Sequence, residues 1–179
     1  AVLKDGSELH ARALAGNKQD RLQALEFFAE AYQMNPTHQL ITAYYADCLT
    51  LMGFYAKNLN ELFASTMKAI KLMDNAVNID PDDIQVRFLR AYQSLRLPEA
   101  VFHRTGTAIG DFRYLLQRYE QDNSIFNPET YRQILFDLAI AYRRLEMDTA
   151  VEEILTQLPA SERDKFIQYS RLQYSFNRL

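Results

Sequence analysis

Three times the chain repeats one spaced set of residues: Ala24, Phe28, Ala31 and Pro36; then Ala69, Met73, Ala76 and Pro81; then, degraded, Ala108, Phe112, Leu115 and Glu120. Steps of four and three put the first three members on one face of a helix. Alanine at fixed places lets two helix backbones approach closely while larger neighbours fill the flanks. The proline lacks an amide hydrogen and disfavours α conformation in the residue before it, so it marks where each helix stops. A new amphipathic stretch follows each set. The chain is therefore expected to be all-α and built from recurring helical hairpins.

Composition agrees with that expectation. The 179 residues are 48% hydrophobic, which is ample for a continuous core, and include only 5 glycines and 5 prolines. Net charge is −3, and basic and acidic residues are balanced in both halves of the chain, so neither half is a polybasic arm and nucleic-acid or anionic-membrane binding is disfavoured. Cys48 is the single cysteine and lies in an apolar helical run, where a buried thiol without a redox role is expected. No apolar run approaches the ~18 residues needed to cross a bilayer, and no segment reads as a signal sequence. A cytoplasmic protein is expected, or an exported soluble one if a signal was removed ahead of Ala1.

The recurring set, with its closing proline and the leading helix before it, resembles the second half of a tetratricopeptide repeat, a helical hairpin of about 34 residues. The resemblance implies a right-handed α-solenoid of about four such hairpins plus a C-terminal capping helix. One domain over 1–179 is expected, with repeats at about 5–38, 39–83, 84–126 and 127–159 and the cap at 161–178. In that register the first repeat has a short leading helix over 7–14, a turn at Gly16 and Asn17, and a second helix over 19–34. The second repeat opens at Gln39, with Tyr45, Ala46, Leu49 and Gly53 at the family's large, small, aromatic and turn positions; leucine replaces the aromatic.

Two insertions interrupt the register. Between Gly53 and Ala69 stand about eleven more residues than the repeat needs, with the surplus at 54–64, so the second helix is expected to extend backwards. The third repeat begins near Ile84, after Asp80, Pro81, Asp82 and Asp83, and a loop at 98–106 adds about five residues before Ala108 resumes the pattern. The fourth starts after Asn127 and Pro128. Beyond Pro159, Ser161, Glu162, Arg163 and Asp164 read as a helix start, and Phe166, Tyr169, Leu172 and Phe176 form a stripe suited to closing the end of a stack.

Residues that carry enzyme chemistry do not assemble into a pattern. His10, His38 and His103 are far apart, no metal-ligand spacing or glycine-rich phosphate loop is present, and no serine sits in a nucleophile elbow. A non-enzyme with no metal and no cofactor is expected. In the resembled family the concave groove is lined by the second, fifth, ninth, twelfth and thirteenth positions of each first helix. That rule selects Asp47 and Thr50, then Phe88, Tyr92 and Arg96, then Phe136, Ile140, Arg143 and Arg144. These combine flat rings, which give contact area at low entropic cost, with guanidinium forks that pair with carboxylates. The family's clamp for chaperone tails wants lysine or asparagine where Ala43 and Asp47 stand, so this chain departs from it.

A second constellation is Arg87, Arg90, His103, Arg104 and Asp111. Arg87 and Arg90 fall at positions that normally bury apolar side chains, and a buried guanidinium needs an acceptor. Either Asp111, Glu99 or loop carbonyls bind them and anchor the 98–106 insertion, or they form a basic pocket for an anion or a partner. By the resemblance, the expected function is a non-enzymatic adaptor that holds a peptide or protein segment, an acidic one by preference, in its groove. The alternative is a structural subunit that forms homodimers through helical faces, especially Tyr169, Tyr174 and Phe176.

Overall fold

A computed structural model describes residues 1–176, and for 172–176 the backbone alone. It is all-α: α1 (Val2–Ala15), α2 (Lys18–Met34), α3 (Gln39–Met52), α4 (Leu59–Ile79), α5 (Ile84–Arg96), α6 (Glu99–Phe102), α7 (Thr105–Gln121), α8 (Pro128–Arg144), α9 (Asp148–Leu155) and α10 (Ala160–Phe176). A single 3₁₀ turn, Gly53–Tyr55, follows α3, and no strand occurs among the described residues. The chain packs as two compact units, Ala1–Gln93 and Ser94–Leu179.

In the first unit α1, α2, α3 and α4 each pack on the next, and α1 also packs on α3. The breaks between them have local causes. The Asn17 side chain caps α2 by accepting from the amides of Gln19 and Asp20, at 3.0 and 3.2 Å. Asn58 caps α4 through the Glu61 amide, and Glu61 returns the favour to the Lys57 amide at 2.7 Å. Asp83 takes the amides of Gln85 and Val86, so the acids before α5 satisfy orphan donors of its first turn.

The core of this unit is the recurring set. Ala24, Phe28, Ala69, Met73 and Ala76 are all fully buried, together with Ala13, Ala43, Ala46 and Val86. Pro36 and Pro81 lie just beyond the ends of α2 and α4. The leading helix begins at Val2, well before the expected 7–14. As a result Gly6 reaches the rings of Phe27 and Phe28, and no side chain larger than hydrogen fits there. The backward extension expected at 54–64 is present, since α4 is 21 residues long.

In the second unit α7 packs on α8, α8 on α9, and α10 on α8. Ala108, Phe112 and Leu115, the third copy of the set, are fully buried, as are Ile134 and Ala139 of α8. The turn between α7 and α8 is closed by Tyr119, stacked on Tyr131 at 4.3 Å, and by Asn127, whose side chain caps α8 through the Thr130 amide at 2.7 Å. The insertion is only partly a loop. It contains α6, which ends at His103 in the left-handed region at φ 53°. The Glu99 carboxylate accepts the Thr105 amide at 2.8 Å, which starts α7. The last helix begins at Ala160, with Ser161 inside its first turn and the Pro159 carbonyl taking the amides of Glu162 and Arg163. Of its expected stripe, Phe166 is buried and Tyr169 is partly exposed; the side chains of Leu172, Tyr174 and Phe176 lie outside the described residues.

Candidate functional site

Tyr44, Asp47 and Thr50 recur every third residue along α3, and each is bound from a neighbouring helix. His10 Nε2 of α1 lies 2.7 Å from Asp47 Oδ2, with the two side chains 7% and 1% exposed. The His10 ring meets the Tyr44 ring edge-on, with centroids 5.0 Å apart, and Tyr44 also stacks on Phe28 at 4.9 Å. The Tyr44 hydroxyl accepts from Gln85 Nε2 at 3.3 Å. Burial pushes the Tyr44 phenol up, because the interior disfavours the phenolate. Further along, Gln93 Nε2 donates to Thr50 Oγ1 at 3.0 Å and to the Ala69 carbonyl at 3.4 Å.

These contacts engage two residues of the expected groove. Asp47 and Thr50 are buried, Asp47 against His10 of α1 and Thr50 against Gln93 of α5. The polar side chains hold α1 and the first part of α5 in register on α3. Buried donors and acceptors that fit only one partner specify an arrangement in a way that apolar contacts do not.

The remaining groove residues divide between the two units. Phe88 and Tyr92 are half-buried on α5, with ring centroids 4.8 Å apart. Arg96 is exposed and Ile140 half-buried. Phe136 packs edge-on against Phe166 of α10 at 5.8 Å, so the last helix covers part of its ring. Arg143 Nη1 is 2.8 Å from Asp148 Oδ1 on α9. Arg144 Nη1 donates to the Leu95 carbonyl at 2.8 Å and lies 3.4 Å from Thr105 Oγ1. Arg143 thus ties α8 to α9, and Arg144 ties α8 to the segment before α7.

The second constellation is likewise engaged locally. Arg87 Nε donates to the Pro81 carbonyl at 2.8 Å, and Arg90 Nη1 is 3.3 Å from Asp74 Oδ1. Their guanidinium groups have acceptors on the turn and on α4. His103 is largely exposed, 3.8 Å from the Glu99 carboxylate. Arg104 is half-buried just before α7, and Asp111 is fully buried on it.

A different surface carries apolar side chains in the open. Phe54 is 78% exposed, Leu59 81%, Phe63 51% and Met67 44%. Three of them follow one another at intervals of four along the extended part of α4, and Phe54 stands on the 3₁₀ turn that packs against that helix. The core face of α4 runs through Thr66, Ala69, Met73 and Ala76, so the helix bears a second apolar row on its shoulder. Cations stand near this row. The Arg21 guanidinium sits 5.2 Å from the Phe54 ring, Lys18 Nζ 5.4 Å from the Tyr55 ring, and Lys68 Nζ 5.7 Å from the Tyr45 ring. Lys57 and Lys71 are exposed. The sequence contained the signal, because Phe63 and Met67 hold helical spacing within the insertion; what it did not separate was this row from the core row.

Among the described residues, no three His, Cys, Asp or Glu side chains gather where they could hold a metal ion, and no helix is long and apolar enough to cross a membrane. Comparison with known proteins found no matching family model, no matching curated protein and no matching solved structure.

Proposed function

We propose that this chain is a tetratricopeptide-like, right-handed solenoid of helical hairpins that serves as a non-enzymatic adaptor for a peptide or protein segment. The recurring set supports the repeat reading, since Ala24, Phe28, Ala69, Met73, Ala76, Ala108, Phe112 and Leu115 are buried, Ala31 is half-buried, and Pro36 and Pro81 stand just past the ends of their helices. The packing of α1 on α3 as well as on α2 is what stacked hairpins require.

One observation carries the adaptor reading: Phe54, Leu59, Phe63 and Met67 expose large apolar side chains on an extension of α4 that lies ahead of the helix's core-forming half. Scattered exposed apolar residues are ordinary, but a row of them rimmed by charged groups marks a binding surface. The binding face on this reading is the shoulder of α4 rather than the expected groove. Its test is selection from a displayed library of random peptides on the folded chain, repeated on a Phe54→Ser, Leu59→Ser, Met67→Ser variant. Enrichment of peptides by the wild type that the variant fails to hold supports the reading. No enrichment, or equal retention by the variant, refutes it. A concentration-independent dimer in light scattering that the variant abolishes would replace it with self-assembly.

A further inference from the structure

Resting on that reading, we infer that the occupant of the α4 shoulder is an amphipathic helix with acidic flanks. The shape argues for a helix. Leu59, Phe63 and Met67 span nine residues of α4, about 12 Å from first to last at the helical rise, which matches two turns of an opposing helix that inserts side chains at every third and fourth position. Phe54, on the turn ahead of α4, extends the row at one end. An extended strand has no partner here, because the backbone donors of α4 are spent within the helix.

The charges select the flanks. Lys18 and Arg21 stand over the aromatic rings at the Phe54 end. Lys68 follows Met67 directly, and Lys71 continues the row of four-residue steps from Leu59, Phe63 and Met67. Glu61 is the carboxylate nearest in sequence, and it accepts the Lys57 amide at 2.7 Å. Against Lys18, Arg21, Lys57, Lys68 and Lys71 stand Asp20, Glu61 and Asp74, the last paired with Arg90; the rim is therefore net positive on a chain whose net charge is −3, a local reversal that favours carboxylates on the ligand and disfavours a basic helix.

The experiment uses the whole chain and a labelled synthetic helix of about 18 residues, with leucines along one face and glutamates along both edges, followed by fluorescence anisotropy. The same peptide with lysine for each glutamate is the first control, and vesicles of phosphatidylserine with phosphatidylcholine are the second. The glutamate peptide is expected to bind, with affinity falling as salt rises. Leu59→Ser with Met67→Ser should abolish binding, and Lys68→Glu with Lys71→Glu should weaken it about tenfold. All four are exposed or rim positions, and unchanged circular dichroism confirms that the variants fold. Equal binding of the lysine peptide, binding of neither peptide, or binding to vesicles alone overturns the inference. Enrichment of peptides of another class in the library selection leaves the adaptor reading standing while this inference fails, so the two are separable.

Discussion

Replacing Gly6 by alanine should destabilise the protein, although the same change in an ordinary helix stabilises it. Gly6 lies within α1, where alanine normally gains about 1 kcal/mol over glycine. Here an added methyl would come 2.8 Å from Phe27 Cε1 and 2.9 Å from Phe28 Cε1, and closer still to Phe28 Cζ. Phe28 cannot retreat, since it is fully buried, stacked on Tyr44 at 4.9 Å and met edge-on by Phe27 at 5.3 Å. Overpacking of such a site costs about 1–3 kcal/mol, and displaced backbone adds to it, so the net loss is about 1–2 kcal/mol. For a chain of this size that lowers Tm by about 3–6 °C. Gly110 provides the internal control: it lies inside α7 with nothing within 4 Å of its would-be methyl. Gly110→Ala should gain about 0.5–1 kcal/mol. Urea titration followed by far-ultraviolet circular dichroism reads both. A Gly6→Ala protein as stable as wild type, or a loss at Gly110 equal to that at Gly6, would refute the packing of α1 on Phe28.

The His10 and Asp47 pair should behave as one unit. Either alanine substitution strands a buried polar partner and costs roughly 2–4 kcal/mol, while the double variant costs less than the sum in a double-mutant cycle. Asn127→Ala removes the cap of α8 and should cost about 1 kcal/mol by urea titration. The Glu99 carboxyl is held below the usual carboxylate range, first by its hydrogen bond with Thr105. Its contribution is complete above that range and is lost as pH falls through the lowered value. The stability advantage of wild type over Glu99→Gln should therefore be present at neutral pH and vanish in acid; an advantage that persists unchanged in acid contradicts the bond.

Helix boundaries were legible because their chemistry is local. Asn17, Asp83, Asn127 and the prolines act within one turn of where they stand, and helix ends follow from them. The buried sets were legible for the same reason, because the period of a helix fixes its face. The burial of Asp47 and Thr50 was not, since it depends on other helices. Gly6, His10 and Ala13 repeat the four and three spacing of the core sets on a helix that begins at Val2, and all three are buried. A leading helix started at Ser7 omits Gly6, and with it the sign that α1 lies close against its neighbours. The four-residue helix at Glu99–Phe102 escaped notice because its pattern is shorter than two turns.

The account turns on the exposed row of α4 as the surface that meets a partner. Backbone amide chemical shifts of the labelled chain, followed by nuclear magnetic resonance as the glutamate-edged helix is added, test this most directly. Saturable shifts concentrated at Phe54, Leu59, Phe63, Met67 and Lys71, with Asp47 and Thr50 nearly unmoved, are the predicted result. Shifts centred on Phe88 and Tyr92, or on Ile140, with the α4 row unaffected, would contradict it.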